Sequence, residues 1–138
     1  MVPFPAPMGL VTVAATMPIE IYRTIHLAAI MLLFTSIGGL ALYVAAGGTK
    51  AANPHRKLVS ALHGTAAFLV LLGGFGMLAR LHVGFPFPLW VWIKLTIWTL
   101  LSVVIMLPYR KPDLAKPLFL AAPLLGLVAA WAAIFKPT

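Results

Sequence analysis

The chain has 138 residues, of which 62% are hydrophobic and 9% are charged, and its mean hydropathy is +1.05. These values lie far from those of soluble globular domains and exclude a water-soluble fold. The formal charge is +8, but the basic residues lie at or near the ends of apolar blocks, so we expect no nucleic-acid partner. The chain has no cysteine, which excludes disulfides, thiolate metal sites and a covalently attached c-type haem.

The first segment, residues 1–18, is uncharged apart from the chain terminus and is interrupted by Pro3, Pro5, Pro7 and Pro18. Such a segment lacks the positively charged start of a signal peptide, so we expect it to stay on the mature protein. Terminal segments are mobile unless they are held by other groups. We therefore expect it to dock on a partner subunit, or else on its own bundle or in the membrane interface.

Four apolar blocks follow, at about 19–46, 58–82, 88–107 and 116–135. A helix needs about 20 residues to cross a hydrocarbon core of about 30 Å, and each block is long enough. Each block must be helical, because unpaired backbone groups are costly in lipid and the blocks are longer than barrel strands. The sequence predicts an all-α integral membrane four-helix bundle over 19–138, a multi-pass protein that we expect in a bacterial inner membrane.

The orientation of the bundle follows from the lysines and arginines in its short connections. The two connections on one side carry Lys50, Arg56, Lys57, Arg110, Lys111 and Lys116. The opposite side carries Arg23, Arg80, Lys94 and Lys136. Because cytoplasmic loops are enriched in Lys and Arg, both termini are predicted to share the non-cytoplasmic side.

Small residues recur at helical spacing in three of the four blocks. They are Ala28, Thr35, Gly39 and Ala46 in the first, Ser60, Gly64, Ala67 and Gly74 in the second, and Ala122, Gly126 and Ala130 in the fourth. Small residues let membrane helices approach closely. These faces predict close packing within the bundle or against helices of partner subunits.

His26 and His63 are the candidate cofactor ligands, because histidine is rare inside a membrane span and can ligate haem iron or the magnesium of a chlorophyll. Each lies about 10 Å from an opposite face of the membrane, so the two should not share one haem. Met77 and Met106 lie at suitable depths to act as second ligands. The alternative is that each histidine forms a hydrogen bond to a neighbouring helix.

Arg23, His26, Arg80 and Lys94 form a predicted basic cluster near the non-cytoplasmic face, with only Glu20 to balance it, and Arg23, Arg80 and Lys94 are its candidate lipid-binding or anion-binding residues. Lys94 lies about six residues inside the third block, where an unpaired ammonium group is costly. A lipid phosphate, a haem propionate, a quinone carbonyl or a partner's acidic residue would each suit it. The alternative is that these side chains extend to the headgroups.

The first two blocks share a pattern in which a histidine is followed by paired glycines, His26 with Gly38-Gly39 and His63 with Gly73-Gly74. In span number and in this pattern the chain resembles small four-helix bacterial membrane proteins of the SirB and CopD-like kind. For some relatives of that kind haem or copper binding is suspected, but the resemblance assigns no ligand here.

Function is predicted from what the spans contain. Glu20 and Asp113 lie near opposite faces of the membrane and cannot act as a catalytic pair, so we expect no enzyme and no resident metal site. We expect a non-catalytic subunit of a larger membrane complex for electron transfer or photosynthesis, which packs helices and holds lipid or pigment. The alternatives are a free-standing b-type haem or quinone-linked electron carrier and, third, a small transporter or channel.

Overall fold

The computed structural model describes residues 17–138, and every regular element in that range is helical. The helices are α1 (Ile19–Ala45), α2 (Arg56–Arg80), α3 (Leu89–Val103), α4 (Leu107–Arg110) and α5 (Ala115–Phe135), with 3₁₀ turns at Val104–Met106 and Pro112–Leu114. Four segments are long and apolar enough to span a membrane: Ile19–Ala45, Arg56–Arg80, Leu89–Arg110 and Pro112–Phe135. The predicted four-helix membrane bundle is confirmed.

Two of the helices end in the hydrogen-bond pattern that requires a left-handed residue. Gly47 has φ of +94° after α1, and the N–H of Gly48 donates to the Tyr43 carbonyl at 3.0 Å. His82 occupies the same position after α2 with φ of +57°, and the N–H of Val83 donates to the Leu78 carbonyl at 3.0 Å. The second span therefore ends at Arg80, two residues before the predicted boundary.

The third span differs more from its prediction, which placed its end at residue 107. Pro108 has no N–H, and its ring conflicts with the carbonyl four residues earlier, which belongs to Val104. The chain changes to a 3₁₀ turn at Val104–Met106 and then resumes as α4, so Pro108 is buried inside a span that continues to Arg110. The proline modifies the helix and does not end it.

The bundle core contains side chains from all four spans: Leu33, Ile37, Ala66, Ala67, Ile97, Leu101, Leu118 and Ala122. Helix α1 packs most extensively against α2, where Gly73 is essential to the approach: a Cβ at this position would lie 2.8 Å from the His26 Cβ and 2.9 Å from the Tyr22 carbonyl oxygen. Helix α5 covers the other side of α1, with Gly126 against the ring of Phe34.

The helices alternate in direction, so α1 and α3 begin at the end of the bundle where α2 and α5 finish. At this end the backbone N–H of Trp90 donates to the Pro137 carbonyl at 3.2 Å. We call it the Trp90 end and the opposite one the Tyr109 end. The segment 1–18 is predicted to dock on a partner, on the bundle or in the membrane interface. Its residues 1–16 lie outside the part of the chain that the structure describes.

Candidate functional site

His26 connects α1 to α2 near the Trp90 end. Its Nδ1 lies 2.7 Å from the carbonyl oxygen of Val70, and because that oxygen can only accept, Nδ1 carries the proton. In the neutral ring Nε2 then carries a lone pair. Every side-chain nitrogen and oxygen that is fully buried in residues 17–138 has a hydrogen-bond partner. His26 Nε2 has no such partner, so it is not one of the fully buried atoms and is accessible from outside the protein.

Lys94 lies within electrostatic range of this histidine. Its side chain is half-buried, and its charge acts on the His26 ring. The Lys94 Nζ lies 5.8 Å from the centroid of the Trp90 ring, and the Nζ of Lys136 lies 5.8 Å from the same ring, so two cations share one aromatic partner. No carboxylate within 17–138 forms an ion pair with Lys94. The geometry leaves Lys94 without an anion, at a position where its charge is costly.

The structure brings together only part of the predicted basic cluster. His26 and Lys94 are neighbours, whereas Arg23 and Arg80 are exposed on α1 and α2 at the same end of the bundle. Exposed guanidinium groups on long stems reach the headgroup region easily. The half-buried part of the predicted site is therefore a histidine and a lysine.

His63 has a different environment, at the centre of the bundle with 4% of its surface exposed. Its Nε2–H donates to the Ser102 carbonyl on α3 at 3.0 Å, and its Nδ1 lies 3.3 Å from the Ser36 hydroxyl on α1. Both ring nitrogens thus contact protein groups, and one side chain connects three helices. In this arrangement neither nitrogen is open to a metal or macrocycle.

The depths of the two histidines follow from their contacts with α2. His26 meets this helix at Val70, seven residues beyond His63. At the α-helical rise per residue this separates them by about 10 Å along the helix. A single metal cannot receive both side chains. Within 17–138, no three His, Asp or Glu side chains come close enough together to form a metal site.

Three features of the structure were not predicted from the sequence. The first is the Trp98 indole N–H, which donates to the Ala67 carbonyl at 2.9 Å and adds a second bond between α2 and α3. The second is the placement of Ser36 and Ser102 on either side of His63. The third is a basic cleft at the Tyr109 end, whose cationic residues Lys50, Arg56 and Arg110 serve in the sequence only as indicators of orientation. For the bonds to Ala67 and Ser102, no sequence signal marks the partner, because the acceptor is a backbone carbonyl.

No protein-family model, no curated protein and no solved structure matches this chain. The resemblance to SirB and CopD-like proteins stays a prediction, and the functional argument depends on the geometry.

Proposed function

We infer that this protein is a non-catalytic integral membrane subunit of a larger membrane complex, and that α1 packs against a helix of a neighbouring subunit. The observation that carries this inference is a stripe of exposed positions along the whole of α1. Its members are Thr24, Ala28, Met31, Thr35, Gly39, Leu42 and Ala46. Successive members are three or four residues apart, the spacing of a helix–helix seam.

The composition of this stripe differs from that of a lipid-facing surface. Five of its seven members are small, and no atom lies within 4 Å of a Cβ built on Gly39, so the surface is open at this position. The exposed face of α5 instead carries large side chains such as Leu120, Leu127 and Ile134, which are 67%, 66% and 73% exposed. Small residues concentrate where membrane helices meet.

The polar groups in the stripe require no further partner. The Thr24 hydroxyl donates to the Glu20 carbonyl and the Thr35 hydroxyl to the Met31 carbonyl, both at 2.8 Å. A partner helix would therefore leave no hydroxyl unsatisfied when it covers these residues. This supports burial of the stripe against protein.

A substitution at Gly39 tests the proposal. Gly39→Leu adds a large side chain to the stripe without disturbing the bundle, because the position is open, so we expect loss of co-purifying subunits in mild detergent with unchanged helicity. The matched control is Gly64→Leu, at an equally open position on α2. If wild-type protein purifies from its native membrane as a monodisperse monomer, or if both variants retain the same partners, the proposal is wrong.

The kind of complex that we propose, one for electron transfer or photosynthesis, depends on His26. A histidine that binds a metal through one ring nitrogen commonly donates the other N–H to a backbone carbonyl, as His26 does to Val70. His26 would hold a haem b or a (bacterio)chlorophyll through its accessible Nε2, and Lys94 would supply a positive charge for an acidic substituent of that group. Haem would supply electron transfer, and chlorophyll would supply light absorption.

Cofactor binding by His26 is also what the second candidate function, a free-standing electron carrier, requires. Absorption spectroscopy tests whether a cofactor is bound. We expect the absorption spectrum of protein purified from its native membrane to contain a macrocycle band that His26→Ala abolishes. His63→Ala should retain the band if the variant folds, because His63 contacts only protein. Absence of any band in the wild type, or loss only with His63→Ala, would contradict ligation by His26.

A further inference from the structure

A cleft of about 350 Å³ opens at the Tyr109 end, far from His26 and Lys94. It lies between the beginning of α2 and the end of the third span, and the loop after α1 closes one side of it. Its volume lies within the range of sites that bind small molecules or headgroups. The cleft is formed by residues that are distant in sequence, so it is a product of the fold.

The cleft is lined by three cationic side chains, Lys50, Arg56 and Arg110, and by no acidic one. None of the three side chains forms a hydrogen bond or ion pair with the residues in 17–138. Arg56 is also the first residue of α2, where the helix dipole adds positive potential. Three like charges that converge on one cleft favour an anionic occupant.

A hydrogen-bond chain connects the loop before α2 to Tyr109, which lines the cleft. The Asn53 Oδ1 accepts from the backbone N–H of His55 at 2.9 Å, which fixes the orientation of the buried amide. Its Nδ2 therefore donates to the Tyr109 hydroxyl oxygen, at 2.7 Å. The Tyr109 proton must then point elsewhere, and this side chain lines the cleft. The fold thus leaves the Tyr109 O–H available to a bound acceptor.

Apart from Ser60, the remaining lining residues are apolar: Leu40, Val59, Ile105 and Met106. A soluble anion gains nothing from such walls, whereas a lipid places its phosphate among the cations and its first methylenes against the apolar side chains. We propose that this cleft binds the phosphodiester of an anionic phospholipid. The side that carries these cations is also the predicted cytoplasmic face, where anionic lipids and polybasic segments meet.

Lipid titration followed by native mass spectrometry tests the proposal with the full-length protein in detergent. The probes are phosphatidylglycerol and phosphatidylcholine with identical acyl chains, together with glycerol phosphate as a soluble headgroup. We expect the phosphatidylglycerol complex to be tighter than the phosphatidylcholine complex by about tenfold or more. Glycerol phosphate in excess should not displace the lipid.

The variants separate the cleft from general surface charge. Arg56→Gln with Arg110→Gln should weaken phosphatidylglycerol binding by about tenfold, whereas Lys57→Gln with Lys111→Gln should change it by less than about twofold. Both pairs remove two charges from adjacent positions, but only the first pair lines the cleft. Equal losses in the two pairs, or no loss in the first, would overturn the proposal.

A third pair of variants preserves all charges. Tyr109→Phe should weaken phosphatidylglycerol binding by about threefold or more, since it removes the hydroxyl donor. Tyr43→Phe is the control, because its hydroxyl at the same end donates to the Thr49 carbonyl at 3.0 Å and does not line the cleft. Equal effects of the two, or displacement of the lipid by glycerol phosphate, would show that no lipid site exists here.

Discussion

The surroundings of His63 in the bundle interior and the Trp90 end both contain polar side chains inside membrane spans, but the hydrogen bonding of these groups differs. Around His63, both ring nitrogens contact protein groups on α1 and α3. At the Trp90 end, His26 retains an accessible nitrogen and Lys94 has no carboxylate partner within 17–138. A satisfied polar group in lipid holds helices together, whereas an unsatisfied one is costly unless a ligand or partner completes it. From this difference we propose that His63 has a structural role and that His26 and Lys94 contact a ligand.

The largest expected effect comes from removing the central histidine. His63→Ala deletes two interhelical contacts and leaves a cavity in the core, so we expect the free energy of unfolding to fall by about 3 kcal/mol. His26→Ala deletes one hydrogen bond at a half-buried position and should cost about 1 kcal/mol. Reversible unfolding in mixed micelles measures both values. Equal losses would remove the distinction between the two histidines.

The next effect concerns the approach of α1 to α2 beside His26. Gly73→Ala places a Cβ against the His26 and Tyr22 backbone, so the helices must separate and the free energy of unfolding should fall by about 2 kcal/mol. Gly64→Ala, where nothing lies within 4 Å, should be neutral or stabilising by about 0.5 kcal/mol because alanine favours helix. If Gly73→Ala is as harmless as Gly64→Ala, the close contact is wrong.

The smallest effect has the opposite sign. Lys94→Met removes a half-buried charge that no carboxylate in 17–138 compensates, so we expect the isolated protein to gain about 1 kcal/mol in unfolding free energy. Lys136→Met, which removes the exposed cation on the same Trp90 ring, should leave stability unchanged. A loss of stability in Lys94→Met would mean that the lysine has a structural role.

The four spans could be predicted from sequence because length and hydropathy alone define a helix in lipid. The placement of His26 and Lys94 near the same end of the bundle could be predicted as well, because counting residues from the end of each span gives the depth of a side chain in the membrane. The ends of the spans were predicted less accurately than their number. His82 ends α2 in a left-handed conformation typical of glycine, and Pro108 lies inside a span that it was expected to end.

The contacts of His63 could not be predicted, because the sequence does not show how each helix is rotated about its axis. A helix that is apolar on every side gives no pattern to show which face meets its neighbours. The Ser36 and Ser102 contacts depend on the rotation of three helices about their axes, and one of them uses a backbone carbonyl. The Tyr109 cleft was missed for a similar reason, since Lys50, Arg56 and Arg110 are far apart in the sequence.

Site-specific photo-crosslinking in the native membrane tests the central claim, that α1 packs against a neighbouring subunit, most directly. A photoreactive amino acid at Thr35 lies in the exposed stripe, and one at Leu127 lies on the exposed face of α5. We predict a discrete protein adduct from position 35 and only lipid adducts from position 127. Lipid adducts alone at both positions, or the same protein adduct from both, would contradict the assignment of the α1 stripe as the subunit interface.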